Sequence, residues 1–480
     1  MTARTLCDRG IALAAQGRAQ AGIAARPRLI LAATILASSL DFVGGSVVNV
    51  GLPAIGRSLH GQADALQWVV NGYLLPLSAL LLLGGALGDR YGKRRLPVIG
   101  IAVFAAGSAG CAIAPSLGWL IAARAVQGLA AAMMLPNSLA LLGASFEGRA
   151  RSRAVGFWAS STAIAAAIGP VLGGWLIDTV GWRAIFLINL PLAAGAAALA
   201  LWAIPPGPRA AKGGRLDFAG AALITVALMG IVWGLTEAAG KRGWTPLAIG
   251  AFNVGCLFLT GFVRTELRLG DAALMPPALF GARSIVALNL MTLLLYGVVG
   301  GYVLLLPYLL ITHLGYSATA AGAALLPFSL ITTVLAPIMG DLAGRIGARW
   351  PLIVGASLVA VSCLLALLAP RGGSYWTGVL PSVVALALGM ACAAAPLTNA
   401  ILSAVDPRHT GAASGLNSAV AQLGGVIAIA LIGGVLASRG PAFAAAFDTA
   451  AVAGALTALA AAAAIAFLFA APRGTSAAKA

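Results

Sequence analysis

The chain has 480 residues, of which 60% are hydrophobic and only 9% are charged. Soluble domains are roughly a quarter charged, so this composition excludes an ordinary soluble fold. The 30 Lys and Arg exceed the 13 Asp and Glu and give a formal net charge of +17. Nucleic-acid binding would need a basic patch on a folded soluble domain, and no segment between the apolar runs is long enough to form one. We therefore expect an all-α polytopic membrane protein that binds no nucleic acid.

Apolar runs of about 20 residues are long enough to cross a bilayer as helices. The sequence predicts fourteen such spans, at 29–52, 68–88, 96–114, 118–143, 154–177, 184–204, 216–237, 245–263, 284–310, 316–340, 351–369, 376–402, 411–438 and 447–471. Because fourteen is even, both termini are expected on the same side of the membrane.

The basic residues indicate which side that is. If the termini are cytoplasmic, 23 of the 30 Lys and Arg lie in cytoplasmic segments and six in outer loops. Lys and Arg in short cytoplasmic loops set the orientation, so both termini are predicted to be cytoplasmic. Residues 1–28 are interpreted as a basic tail, because the first span is too long for a cleaved signal peptide. The one remaining base, Arg124, lies inside the fourth span.

The sequence also repeats itself at an offset of 255 residues. The loop after span 2 reads GALGDRYGKR and the loop after span 10 reads GDLAGRIGAR, with Gly, Leu and Arg in register. The repeat predicts two six-helix bundles, 29–204 and 266–472, joined by a linker and two inserted helices at 205–265 and followed by a tail at 473–480. Repeated bundles around a central site are the plan of secondary transporters.

The segment GALGDRYGKRRL resembles the signature loop of the major facilitator superfamily. Together with the fourteen spans, SSLDFVGGSVVNVGLPAI in span 1, RAVQGLAAAMMLP in span 4 and AIGPVLGGWL in span 5 resemble the fourteen-span drug:proton antiporter branch. The resemblance implies the major facilitator fold in a monomer embedded in the lipid bilayer. It also implies that a proton gradient drives transport of small lipophilic substrates without any cofactor or metal.

In span 1, Asp41 is the candidate proton-coupling residue. The branch usually places an acid five residues before Asn49, where this chain has Gly44, and Asp41 lies one turn away on nearly the same face. Burial disfavours the charged form of a carboxylate, so an acid at this place can bind and release a proton near neutral pH. The alternative is a structural acid, hydrogen-bonded near the helix end.

The loop after span 2 and its second copy form a candidate conformational latch. The bases anchor these loops on the cytoplasmic side, and glycine allows a tight reversal. The resemblance also implies a charge relay between Asp89, a neighbouring helix N-terminus and a carboxylate facing Arg90. The second copy has Gly344 in place of Asp89, so its latch is expected to be weaker. The predicted latch residues are Gly85, Asp89, Arg90, Gly92, Lys93, Arg94, Arg345, Gly347 and Arg349.

In span 4, Arg124, Gln127 and Gly128 share one helical face. A guanidinium in hydrocarbon costs about 2.5–3.5 kcal/mol on insertion scales, so Arg124 should face a polar cavity or partner. The alternative is that it reaches the outer surface. The resemblance implies that Arg124 assists proton transfer by acting on a nearby carboxylate.

In span 5, the residues Gly169, Pro170, Gly173 and Gly174 resemble a motif of antiporters. Glycines four apart clear one helix face, and the proline bends the helix and frees a carbonyl. Close packing is the simplest interpretation. The functional one adds that this surface closes the cytoplasmic leak path, which favours export over uptake.

The second bundle has few acids within its spans, which argues against a multivalent cation as substrate. The cavity is predicted to be lined by residues that suit lipophilic, weakly polar molecules, although packing is the alternative role for each. They are Asn49, Tyr73, Gln127, Trp158, Asn289, Tyr296 and Asn399.

These features predict a proton-coupled antiporter that exports lipophilic drugs or toxic small molecules by alternating access. A dedicated exporter of one metabolite, such as a siderophore, an antibiotic or a lipid-like compound, is an alternative, and a non-transporting sensor or scaffold is another. The three His lie in loops or at helix ends, and the phosphate-binding GxxxxGK[ST] loop is missing, so neither a membrane enzyme nor a primary pump is favoured. The 26 Arg against 4 Lys suggest a bacterial inner membrane.

Overall fold

The apolar runs fold into helices that are long enough to cross a membrane. The computed structural model describes residues 27–61, 63–92, 94–146, 148–204, 217–239, 243–270, 283–371, 374–405, 410–438 and 441–469. Within these residues all regular structure is helical, and fourteen spans are long and apolar enough to cross a bilayer. Nearly all of the predicted basic tail, most of the linker and the tail at 473–480 lie outside the described residues.

We label the main helix of each span α1 to α14. Their bounds are Pro27–Ser58, Ala63–Tyr91, Arg95–Ala112, Leu117–Ser145, Gly148–Thr179, Asn189–Ala203, Phe218–Ala238, Pro246–Leu269, Arg283–Thr312, Leu326–Ile346, Arg349–Leu365, Leu380–Ser403, Thr410–Leu431 and Pro441–Leu468. Short helical segments extend five spans: Ala184–Leu187 before α6, Ala318–Ala323 before α10, Ala366–Arg371 after α11, Tyr375–Val379 before α12 and Gly433–Ala437 after α13.

Several helices are longer than the hydropathy predicts, because their polar ends continue past the apolar run. Helix α1 includes Pro53 and ends at Ser58, and α5 begins at Gly148. Side-chain oxygens cap several helix starts, as Thr245 does for α8 and Asp217 for α7. The predicted number of spans is confirmed, and their ends differ by a few residues.

The two halves of the chain repeat the same helix contacts. Helix α1 packs on α5 and α6, while α2 and α3 both pack on α4. In the second half, α9 packs on α13 and α14, while α10 and α11 both pack on α12. Adding eight to each helix number converts one set into the other, so the fold is two six-helix bundles with α7 and α8 inserted between them.

Glycines bring many of these helices into backbone contact, as is usual between helices in membranes. A Cβ at Gly128 of α4 would overlap the backbone of Tyr73 in α2. In the second bundle, a Cβ at Gly424 of α13 would overlap the backbone of α9 at Leu293. These positions cannot carry a larger residue without separating the helices.

The inserted helices form a hairpin that docks through α7. Gly230 and Gly234 of α7 pack on the backbone of α8. Helix α7 in turn packs on α2 of the first bundle and α13 of the second, where Trp68 and Trp233 meet edge to face with centroids 6.3 Å apart. One buried apolar cluster therefore joins three helices across the boundary between the bundles: Leu75, Ala79, Leu228, Val232, Val426 and Ala430.

The two loops that define the repeat turn by the same backbone device. Gly92 and Gly347 are equivalent at the repeat offset and have φ of 102° and 88°. Side chains are strongly disfavoured at such angles, so glycine is required for the reversal, as the sequence predicts.

We predict that Gly347→Ala destabilises the protein by about 1–3 kcal/mol, because φ of 88° with ψ of 151° is a conformation that almost only glycine adopts. The measurement is thermal unfolding of the detergent-solubilised protein. Gly344→Ala is the matched control, since it lies within α10 with open space around a Cβ. Equal unfolding temperatures for the two variants would contradict the prediction.

Candidate functional site

Arg124 is completely buried in the first bundle, with 0% of its surface exposed. Its Nε donates to the carbonyl of Val69 at 3.1 Å, and its Nη1 donates to the carbonyl of Gly44 at 3.2 Å and to Oε1 of Gln127 at 2.9 Å. The guanidinium carbon lies 4.2 Å from the ring centroid of Tyr73. The side chain therefore stays inside the bundle and does not reach the outer surface.

Asp41 is linked to Arg124 through Tyr73. The tyrosine hydroxyl donates to the carboxylate of Asp41, and it lies 3.2 Å from the backbone carbonyl of the same residue. Asp41 is 5% exposed and Tyr73 is 1% exposed. An acid from α1, a phenol from α2 and a cation from α4 thus form one buried chain of contacts, which we call the Asp41–Arg124 network.

The departure of span 1 from the family pattern has a steric explanation. A Cβ at Gly44, where the branch usually has its acid, would lie 2.9 Å from the ring of Phe104. At this position the chain instead offers a backbone carbonyl to Arg124. The carboxylate comes from Asp41, one turn earlier on the same helix.

The network continues into α3 and α6 through side chains that the sequence analysis did not identify. Gln127 donates to the hydroxyl of Ser108 at 2.7 Å, and Asn189 donates to the same hydroxyl at 3.3 Å. The thiol of Cys111 lies 3.4 Å from Oε1 of Gln127. Ser108, Cys111 and Asn189 could have been recognised in the sequence, because each is an isolated polar residue inside an apolar span of the bundle that contains Arg124.

The seven predicted cavity residues lie in different surroundings, and their place in a substrate cavity stays a prediction. Tyr73 and Gln127 are buried in the network. Trp158 donates to Ser38 of α1 at 3.0 Å, and Asn289 donates to Ile285 of its own helix at 3.0 Å. The other three lie on α1, α9 and α12, the first two half-buried and the last exposed: Asn49, Tyr296 and Asn399.

Two of the four predicted latch arginines contact helix ends within their own bundles. Arg94 donates to the carbonyl of Leu201 in the last turn of α6 at 2.8 Å. Its repeat equivalent, Arg349, donates to the carbonyl of Ala466 in the last turn of α14 at 2.6 Å. Each cation therefore caps a helix C-terminus, where the dipole and the unpaired carbonyls favour positive charge.

The charge relay between the halves stays a prediction. Lys93 and the side chain of Asp89 lie outside the described part of the chain, while Arg90 and Arg345 are exposed. Gly85 makes an ordinary contact with Pro136 of α4.

The glycine motif of α5 packs on two partners at once. A Cβ at Gly169 or Gly173 would collide with Ser46 or Val47 of α1, in the same bundle. A Cβ at Gly174 would overlap the backbone of Ala318 in the short helix before α10, in the other bundle. Gly322 lies in the same short helix and completes this second contact, because a Cβ there would overlap the carbonyl of Pro170.

Asp178 fixes the same contact by hydrogen bonds. Its carboxylate accepts the backbone N–H of Ala318 at 3.1 Å, the N–H of Thr319 at 2.8 Å and the hydroxyl of Thr319 at 2.6 Å. The acid of one bundle thereby caps the short helix of the other. The sequence gives no sign of this pairing, because the partners are 140 residues apart.

These contacts lie at one face of the membrane. We call the face at which α1 begins the terminal face; α5 is an odd-numbered span, so its end at Thr179 lies on the opposite face. Gln67 at the start of α2, which donates to Ile429 near the end of α13 at 2.8 Å, lies on that side too. Helix α10, which continues toward the terminal face, buries only Ala343. The halves are held together at the opposite face by these contacts, and α2 and α13 also meet nearer the terminal face, where a Cβ at Gly415 would lie 2.6 Å from Leu82.

We predict that Gly174→Leu opens this contact, because the side chain must displace the short helix Ala318–Ala323. The reporter is Ala321→Cys, a fully buried position in that helix, in a background without other cysteines. A water-soluble maleimide should label it faster in the Gly174→Leu protein. Gly156→Leu on the same helix is the control, since nothing lies within 4 Å of its Cβ position. Equal labelling rates would show that Gly174 does not hold the halves together.

Among the described residues, twelve apolar spans in two repeated bundles and two inserted spans, with a buried charged network in the first bundle, define a class: polytopic α-helical membrane transporters. The sequence model described as Major Facilitator Superfamily matches residues 34–288 and 288–480. The chain belongs to this superfamily and is a transporter, not an enzyme.

Relatives and solved structures agree with this assignment. The chain is 35% identical over 416 residues to the multidrug resistance protein Stp of Mycobacterium tuberculosis, covering 85% of this chain and 76% of the relative. It is 34% identical to the tetracenomycin C resistance and export protein of Streptomyces glaucescens, covering 87% and 77%. The crystal structure of the peptide transporter POT with sulfate shares the fold, with a TM-score of 0.68, 14% identity and coverage of 90% and 94%.

Proposed function

We propose that the protein is a secondary active exporter that exchanges inward-moving protons for outward-moving lipophilic drugs or toxic small molecules. Its relatives are named for multidrug resistance and for tetracenomycin C resistance and export, which supports export of this kind of compound. The proposal places the protein as a monomer in a bacterial inner membrane with cytoplasmic termini. Transport is driven by the proton gradient and uses no cofactor.

The proposal of proton coupling rests on the buried position of Asp41 within the first bundle. Among the described residues of α1–α6 and α9–α14 it is the only buried carboxylate, since Glu266, the other buried acid, lies in the inserted helix α8. When Asp41 is charged, it accepts from Tyr73, whose ring lies beside the guanidinium of Arg124. Protonation of Asp41 removes the negative charge that the hydrogen bond from Tyr73 stabilises, so this hydrogen bond weakens. Because the three residues lie on α1, α2 and α4, binding or loss of the proton changes how these helices pack.

Arg124 is suited to take part in both protonation states. Its Nη2 is buried and has no hydrogen-bond partner among the described atoms. A buried cationic donor in this condition is costly, so a movement that brings a carboxylate or a water to Nη2 is favourable. The guanidinium thus stabilises a second arrangement of the network as well as the one observed.

The contacts at the opposite face support an inward-open state as the place of this conformation in the transport cycle. With cytoplasmic termini, the halves are closed toward the outside at Asp178 and Gly174. Lipophilic compounds then enter the region between the bundles from the cytoplasmic side. Release requires these contacts to break, and the proton taken up by Asp41 from outside returns the protein to the inward-open state.

We predict that Asp41→Asn reduces proton-driven export to the level of membranes that lack the protein. Asparagine keeps the shape of the side chain and cannot bind and release the proton. The measurement is uptake of a fluorescent lipophilic compound into inverted vesicles energised by a proton gradient.

Two further variants show why export is lost in Asp41→Asn: Tyr73→Phe, which changes the network, and Glu237→Gln, which does not. Tyr73→Phe keeps the ring beside Arg124 and removes the hydrogen bond to Asp41, so it should lower export without abolishing it. Glu237→Gln changes an acid of the inserted hairpin, outside the network, and should export normally. Unimpaired export by Asp41→Asn would remove Asp41 from the mechanism.

The range of substrates separates this function from a dedicated exporter or a non-transporting scaffold. We predict that cells expressing the protein resist many unrelated lipophilic compounds, and that an uncoupler abolishes the difference from control cells. Growth inhibition and efflux over a broad panel provide the measurement. Protection against a single compound class would identify a dedicated exporter, and no protection in any assay would favour the scaffold.

A further inference from the structure

A cavity lies in the second bundle, away from the Asp41–Arg124 network. It has a volume of about 380 Å³ and is enclosed by α9, α11, α13 and α14. Small-molecule sites usually measure about 300–1,000 Å³, so the space is large enough for a ligand. None of the helices that carry the network contributes to its wall.

The cavity exists because small residues line it. Gly297 of α9 and Gly424 of α13 bring the two backbones together. On the next turn of α9, Gly301 faces only Ala428, whose Cβ is 3.8 Å from a Cβ built on the glycine. Helix α14 adds Ala450 and Gly454. Helices α9 and α13 are in backbone contact, and the residues next to that contact have small side chains. An open space therefore remains between these two helices and α14.

The wall offers hydrocarbon and almost no hydrogen bonding. The hydroxyl of Tyr302 shares a hydrogen bond with Ser382 at 2.5 Å, and the hydroxyl of Thr457 donates to Ala453 at 2.8 Å. The remaining polar side chain in the wall is Cys363, whose thiol is buried and not in a disulfide. A ligand with hydrogen-bonding groups would lose its bonds to water on entering this space and gain few in return.

The mouth of the cavity faces the membrane. Both Leu431 at the end of α13 and Phe447 near the start of α14 line the cavity, and Leu431 is 55% exposed whereas Phe447 is buried. Both residues lie in membrane-spanning segments, on the side opposite the termini. The medium at this mouth is therefore the hydrocarbon of a lipid leaflet.

We propose that the cavity holds the acyl chain of a membrane lipid, inserted from the leaflet at the opposite face. An empty apolar space of this size deprives its lining of packing contacts, and a hydrocarbon chain restores them. The bound acyl chain also affects the contact between the bundles. It packs against α13, and α13 provides the carbonyl of Ile429 to which Gln67 of the first bundle donates. Lipid occupancy thereby stabilises the contact between the halves at this face.

The test is photo-crosslinking in proteoliposomes that contain a phospholipid with a diazirine on its acyl chain. Mass spectrometry of the digested protein should find wall residues of α9, α13 and α14 labelled more strongly than exposed apolar residues at the same depth. Filling the cavity with Ala428→Phe should lower the wall labelling several-fold, and Ala450→Leu provides a second, smaller filling from α14. Ala463→Phe, on an exposed part of α14, is the matched control and should not change it.

The contrary outcomes are equally clear. Labelling that is even over the lipid-facing surface, or that persists in both filling variants when they are folded, would overturn the proposal. Displacement of the wall label by a lipophilic transport substrate, with the surface label unchanged, would overturn the stabilising role of the lipid and would assign the cavity to the substrate. Neither result depends on proton coupling, so failure here leaves the role of Asp41 untouched.

Discussion

The guanidinium of Arg124 needs hydrogen-bond acceptors inside an apolar bundle, and the first half of the chain is arranged around that requirement. Two acceptors are carbonyls of neighbouring helices, at Gly44 and Val69. Gly128, one turn beyond Arg124, lets α2 approach closely enough for Tyr73 to lie beside the charge. A larger residue at position 128 would separate these helices and leave the cation short of partners.

The two bundles share their helix packing and differ in chemistry. The first has a buried acid, a buried cation and the amides that connect them. The second, with equivalent helix contacts, has an apolar cavity and few buried polar side chains among the described residues. A repeated fold can therefore assign its charged interior to one copy alone, because the packing of small residues, which both copies retain, does not depend on that charge.

Sequence reasoning identified what depends on local pattern. The fourteen spans, the repeat, the reversals at Gly92 and Gly347 and the unusual position of Arg124 follow from hydropathy, spacing and the cost of a charge in hydrocarbon. What it missed depends on partners far away in the chain. Asp178 is unremarkable until the helix that it caps is known, and Arg94 and Arg349 meet carbonyls that any residue could provide. Ser108 and Asn189 have a role only through Gln127.

The inserted hairpin makes the boundary between the bundles unequal on its two sides. On one side, α7 belongs to a single apolar cluster with α2 and α13, so it adheres to both halves at once. On the other side, α5 meets the short helix before α10, which also contacts α1 and α9. Because α7 packs on both halves along this one side, we expect the halves to separate most on the side where α5 and α10 lie.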